Sequence, residues 1–370
     1  MGRSVEWDGA SRSNRTGGAD MRSVAGKRQE QPIGSVARET FSRLLTVYGT
    51  GLVLMFFSEY YFFNEGPVGD LMNLFTGVEG AGVIGYIEFT VFYAFFAAWF
   101  LLPVYYFRVR SFWALYLAGG FFGIATEGLV VPLIYTESLT WPALSWHVFV
   151  DVILGWYIVR AVLAKNNPLY TGLLACCMGL FWAFWVPWTH IGSEPFIPDP
   201  SQFTIFALFS SAGLLFGYVL LSWTRRNPFR PGRIEFGVLG ILTLMLWLPM
   251  LIGTWIPMIA EKPGNSLALP AFLGISVYTL QRHRRVEIKA NLMSVFRAGT
   301  AWWNMALFTL MPLTAISAYP FVYRSQLFPP TASIVTLLNT SAYIMIPMSV
   351  FMLWRDINAH YAKQSPVTGK

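Results

Sequence analysis

The sequence predicts an all-α, polytopic integral membrane protein whose ten transmembrane helices leave both termini in the cytoplasm. Three observations predict it. Hydrophobic residues make up 55% of the 370 and charged residues only 12%, too little polar surface to dress a water-soluble globule of that length. The apolar residues fall in long runs parted by short charged stretches, as they must if each run crosses about 30 Å of hydrocarbon. Threaded from an inside N-terminus, 24 of the 26 Lys and Arg residues fall on the inner side, which is the positive-inside pattern.

Residues 1–40 are rich in Arg, Ser and Gly and carry neither a hydrophobic block nor a helical or strand period, so they read as a disordered basic cytoplasmic tail. The first apolar run begins near Phe41. It is about 20 residues long and lacks a small-residue cleavage site, unlike the short apolar segment of a signal peptide. The membrane domain covers 41–355, with spans at 42–63, 83–107, 111–135, 145–164, 168–190, 203–223, 236–260, 266–280, 298–322 and 331–354. Residues 356–370 form a second cytoplasmic tail.

The eighth span is the shortest, about 15 residues against the usual 17 to 25. Without it, Arg282, Arg284, Arg285, Lys289 and Arg297 would lie outside; with it, only Lys262 and Arg324 do. The charge pattern therefore keeps it as a crossing. Five spans per half, 41–190 and 203–355, would permit the inverted halves of some transporters, although no sequence repeat accompanies them.

Several features suit membrane packing. Trp141, Trp146, Trp188, Trp223 and Trp354 sit near predicted span ends, where amphipathic rings anchor at headgroups. Gly119, Gly120 and Gly123 allow close helix approach, and Arg285–Phe296 intersperses apolar residues among charges, as an interfacial helix would. Cys176 and Cys177 are adjacent in one span and read as small packing residues.

Ionisable side chains at membrane depth are costly, about 2.5 kcal/mol or more each near a helix centre, so each calls for an explanation. They are few: Glu59 in span 1, Glu88 in span 2, Glu127 in span 3, His147 and Asp151 in span 4, and His190 at the end of span 5. All fall in the first five spans and in the outer half of the bilayer. Spans 6 to 10 offer neutral polar groups only. His147 and Asp151 are four residues apart, so they share one helix face and can meet each other or a common ligand. The expectation is one polar pocket in helices 1–5, with Glu127, His147 and Asp151 at its centre and Glu59, Glu88 and His190 at its rim.

The net charge of +7 is explained by topology, so nucleic acid is not an expected partner. No P-loop, dinucleotide glycine fingerprint or G-x-S-x-G is present, and no cofactor is called for. Two histidines beside carboxylates could hold a divalent metal, but no H-E-x-x-H or cysteine pair supports one, and metal binding at Glu127, His147, Asp151 and His190 stays open. The expected partners are the lipid bilayer and a hydrophobic small molecule. The leading expectation is an enzyme of the cell membrane acting on a lipid or isoprenoid-like substrate, with Glu127 as general acid and the His147–Asp151 pair as base. Tyr60, Tyr61, Tyr135 and Trp146 would wall the pocket. The alternatives are a proton- or cation-coupled transporter and a non-catalytic membrane subunit.

Overall fold

A computed structural model describes residues 33–61, 82–131, 133–136, 145–186, 197–226, 229–286, 291–327 and 331–364. Every element among them is helical. Ten long helices follow in chain order. They are α1 (Ile33–Met55, continuing as a π turn Phe56–Tyr60), α2 (Gly82–Tyr106), α3 (Phe112–Val130), α4 (His147–Ala164) and α5 (Pro168–Trp185). Then come α6 (Pro200–Thr224), α7 (Arg233–Glu261), α8 (Pro263–His283), α9 (Trp302–Ser325) and α10 (Thr331–Gln364). The described residues from Glu39 onward belong to one compact unit.

Among the described residues, nine helices are long and apolar enough to cross a membrane. With large apolar side chains exposed along most of them, the chain is a multi-pass membrane protein. The helix absent from the nine is α8, at the weakest expected span. Its 21 residues nevertheless extend about 31 Å at 1.5 Å per residue, enough to cross hydrocarbon.

The helix ends follow local chemistry. Ser111 caps α3 by accepting from the Ala114 N–H at 3.3 Å, and Asn167 caps α5 by accepting from Leu169 and Tyr170, with Pro168 at the first helical position. At α6, Asp199 accepts from the Ser201 and Gln202 N–H groups while Gln202 Oε1 accepts from the Asp199 N–H, a reciprocal capping box. Helix α1 starts at Ile33, within the stretch expected to be a disordered tail, with Arg43 Nη1 lying 3.8 Å from Glu39 one turn earlier. Only residues 1–32 of that tail lie outside the described residues. The expected interfacial helix over 285–296 is instead a six-residue 3₁₀ turn, Leu292–Arg297, with 287–290 outside the described residues.

The core forms around α3, in which Ala114 through Ala125 are all buried. It packs against α2, α4, α8 and α10, and its closing π turn packs against α7. Helices come closest where glycine removes the side chain: a Cβ on Gly49 of α1 would stand 2.9 Å from the Gly217 carbonyl oxygen of α6, and the reverse holds equally.

Candidate acid–base site

Three helices change winding where they carry ionisable groups. Helix α1 ends in the π turn Phe56–Tyr60, which holds Ser58 and Glu59, and α3 ends in the π turn Thr126–Val130, which holds Glu127. Helix α4 is a π-helix over His147–Val159 and carries His147 and Asp151. A π segment spaces its hydrogen bonds i→i+5, widens the turn and often marks a functional position. The widened turns of α1 and α4 pack on each other at Gly155, whose missing side chain makes room for the Phe57 ring.

The structure brings Glu127, His147 and Asp151 together in a line. His147 Nδ1 lies 2.8 Å from Asp151 Oδ2, and His147 Nε2 lies 2.9 Å from Glu127 Oε1. Asp151 is fully buried and His147 nearly so, while the Glu127 side chain is 18% exposed. Glu127 is thus the end of the line that reaches a surface. Phe122 meets the imidazole edge to face at 5.5 Å between centroids and fixes its plane.

Glu59 heads a second group beside the first. The Tyr93 hydroxyl is 2.7 Å from Ser58 Oγ and also within hydrogen-bond reach of Glu59 Oε1, to which Ser58 Oγ donates at 3.2 Å. Ser58 also lies beside the carboxyl of Asp151, whose Oδ1 is buried. Tyr93 and Ser58 escaped the sequence reading because a neutral hydroxyl carries no penalty that singles it out. With 17 tyrosines in the chain, only the partner identifies the one that matters.

The other expected rim residues are placed differently. Glu88 is exposed on the face of α2 that also presents Ile84, Ile87, Val91 and Phe92, and it makes no hydrogen bond or ion pair among the described residues. His190 lies outside the described residues, as do Trp141 and Trp188. Of the expected aromatic wall, Tyr60 and Tyr61 are core residues, Tyr61 donating to the Met178 carbonyl at 2.9 Å. Tyr135 donates to the Gly128 carbonyl, one residue from Glu127, and Trp146 stacks on Trp185.

Two hydrogen bonds between one imidazole and two carboxyls hold two protons. Drawn as an imidazolium between two carboxylates, or as a neutral imidazole receiving from one carboxylic acid, the array carries the same single negative charge. One further proton makes it neutral, and a proton delivered at Glu127 can be matched by movement along both bonds. Both ring nitrogens are engaged by carboxyl oxygens, which leaves no lone pair for a metal. Among the described residues no group of three or more His, Cys, Asp and Glu side chains is arranged to hold an ion. The expectation that Glu127 acts apart from a His147–Asp151 base changes accordingly: the three are one hydrogen-bonded unit, and His147 is shielded by its partners.

The chain matches no protein-family model, no curated protein and no solved structure.

Proposed function

We propose that this protein is a membrane-embedded enzyme performing acid–base chemistry on a hydrophobic substrate of the lipid or isoprenoid kind, with Glu127 as the group that exchanges a proton with substrate. His147 relays that proton and Asp151 orients the imidazole and balances its charge, the division of labour that a carboxylate–imidazole pair serves in general acid–base catalysis. One observation carries this choice: the array opens only at Glu127 and is sealed below Asp151. Over the next two turns of α4, Val152, Trp156 and Val159 are buried, Gly155 is filled by Phe57, and the Trp156 ring is clasped edge-on by Phe100 at 4.9 Å and Phe296 at 5.4 Å. A coupled transporter needs the same proton site to face both sides in turn. For the site to face the other side these packed aromatic layers would have to part, a rearrangement that chemistry at a single side does not require.

In this reading all ten helices cross the cell membrane, the termini and the loops bearing Arg225 and Arg284 are cytoplasmic, and the array lies in the outer half. A reporter cysteine at Ser201 should react with an impermeant thiol reagent from outside intact cells; reaction only after permeabilisation would reverse the topology. The chemistry is tested by comparing the lipidomes of cells lacking the gene, restored with the wild type and restored with Glu127→Gln. The gene-deleted and Glu127→Gln cells should accumulate the same lipid species, cleared by the wild type. Full restoration by Glu127→Gln, or a lipidome indifferent to the gene, would sink the proposal, and proton-driven uptake by proteoliposomes would replace it with transport.

A further inference from the structure

At the other end of the bundle, about 22 Å along α3 from Glu127 at 1.5 Å per residue, four arginines surround a cavity of about 380 Å³. Arg108 and Arg110 come from the turn between α2 and α3; Arg284 and Arg285 come from the end of α8, with Gln281 and Val286 completing the lining. Two segments remote in sequence therefore point guanidinium groups at one space. None of the four arginines makes an ion pair with a carboxylate among the described residues. Like charges gathered around one space attract an anion to it.

The backbone around the cavity is fixed. Buried Val109 and Val286 anchor the two segments, the Leu292 N–H donates to the Arg110 carbonyl at 2.9 Å, and the Arg284 guanidinium lies 5.0 Å from the centre of the Tyr106 ring. Arg108 adopts φ +53°, the left-handed conformation that glycine fills without strain. That conformation closes α2, the Arg108 N–H donating to the Tyr105 carbonyl at 3.3 Å and the Val109 N–H to the Val104 carbonyl at 2.9 Å, so the turn that carries Arg108 and Arg110 is set by the helix end.

We infer that this cavity binds a phosphate-bearing anion. Arginine forks match the paired oxygens of a phosphate, and about 380 Å³ falls within the usual range of small-ligand sites, roughly 300 to 1,000 Å³. A phospholipid headgroup entering from the adjacent leaflet and a water-soluble phosphate compound present the same chemistry, and the experiment separates them. It is independent of the acid–base reading, since no residue is shared.

The test is native mass spectrometry of the purified full chain in detergent, titrated with phosphatidic acid, with phosphatidylcholine for comparison, and separately with inorganic pyrophosphate. The wild type should retain phosphatidic acid or pyrophosphate about tenfold better than the Arg108→Gly/Arg285→Gln double variant, while Arg230→Gln, outside the cavity, should match the wild type. Arg108→Gly relieves the left-handed turn, so that half of the pair does not endanger folding. If the double variant cannot be purified, Arg285→Gln alone, at an exposed position, should lose about threefold. Retention of phosphatidic acid assigns a lipid headgroup, and retention of pyrophosphate alone assigns a soluble phosphate. Equal retention by wild type and variant, or no preference for either probe over phosphatidylcholine, overturns the inference.

Discussion

Helices α3 and α7 are both apolar enough to cross a membrane, and their surroundings are opposite. The spanning stretch of α3 is 83% buried within the protein, whereas none of α7 is, although α7 is the more hydropathic of the two. In water this ordering would be backwards. In a bilayer, lipid tails satisfy an apolar helix as well as other helices do, so hydropathy measures fitness for hydrocarbon and says nothing of place in the bundle. Shape decides place. Ala114, Ala118, Gly119, Gly120, Gly123 and Ala125 let neighbours approach α3 closely. Helix α7 has glycines too, but Gly237, Gly240 and Gly253 face open space. Trp247, Met250, Trp255 and Met258 of α7 pack against the core from outside, and polar bonds add to them: Arg43 Nε donates to Glu235 at 2.9 Å, Trp99 Nε1 to Thr243 Oγ1 at 2.9 Å and Trp247 Nε1 to Tyr135 Oη at 3.1 Å.

The sharpest break of the comparison is functional. If the buried side carries the chemistry, Glu127→Gln and Asp151→Asn should each lower product formation about a thousandfold, within the usual 10² to 10⁴ for a general acid or base. Glu88→Gln, on an exposed face, should stay within about twofold. Rates of lipid turnover in proteoliposomes measure both, and comparable losses for Glu88 and Glu127 would refute the assignment.

The next test places one substitution in both helices. Gly119→Leu must force the Val148 methyls, which a Cβ would already meet at 3.1 Å, and should destabilise by about 3 kcal/mol, the upper range for overpacking. Gly240→Leu meets nothing and should be neutral or slightly stabilising through helix propensity. Thermal unfolding in matched detergent would show the contrast, and equal midpoints would remove the packing distinction.

A smaller effect probes how α7 is tied. Glu235→Ala removes the partner of a partly buried Arg43 and the acceptor of the Gly232 N–H at the start of α7. The expected loss is about 1.5 kcal/mol, in the range for hydrogen bonds to charged groups. Hydrogen exchange should quicken in α7 and leave α3 unchanged; equal quickening in both would mean that α7 is part of the core after all.

The smallest expected effect lies outside the membrane, at the cap of α6. Hydrogen bonds from the Ser201 side chain and the Gln202 and Ser201 backbone hold the Asp199 carboxyl below the ordinary carboxylate range. A carboxyl with a lowered value in the folded state stabilises above its unfolded value, and that contribution fades as the pH falls through the folded one. Asp199→Ala should therefore lose about 1 kcal/mol at neutral pH, and the gap from wild type should narrow as the solution is acidified below pH of about 4. A gap that widens on acidification would contradict the cap.

The sequence alone determined that the chain is helical and crosses a membrane many times, because a bilayer admits a spanning segment only if it is long, apolar and internally hydrogen-bonded, and each requirement is local. It also singled out Glu127, His147 and Asp151, since ionisable groups at depth stand out wherever they fold. The extents of helices were less legible. Helix α10 runs ten residues past its expected end, through Arg355 and Asp356 to Gln364, because hydropathy marks the edge of hydrocarbon and a helix need not stop there. Only the tertiary structure decided that His147 bridges two carboxyls, that Ser58 and Tyr93 join Glu59 beside them, that Glu88 turns outward, and that α3 is central while α7 is peripheral. Those outcomes depend on winding and close approach between segments far apart in the chain. A π turn re-aims a side chain without altering composition, and of two helices that can both cross lipid, the surfaces that meet them decide which is central.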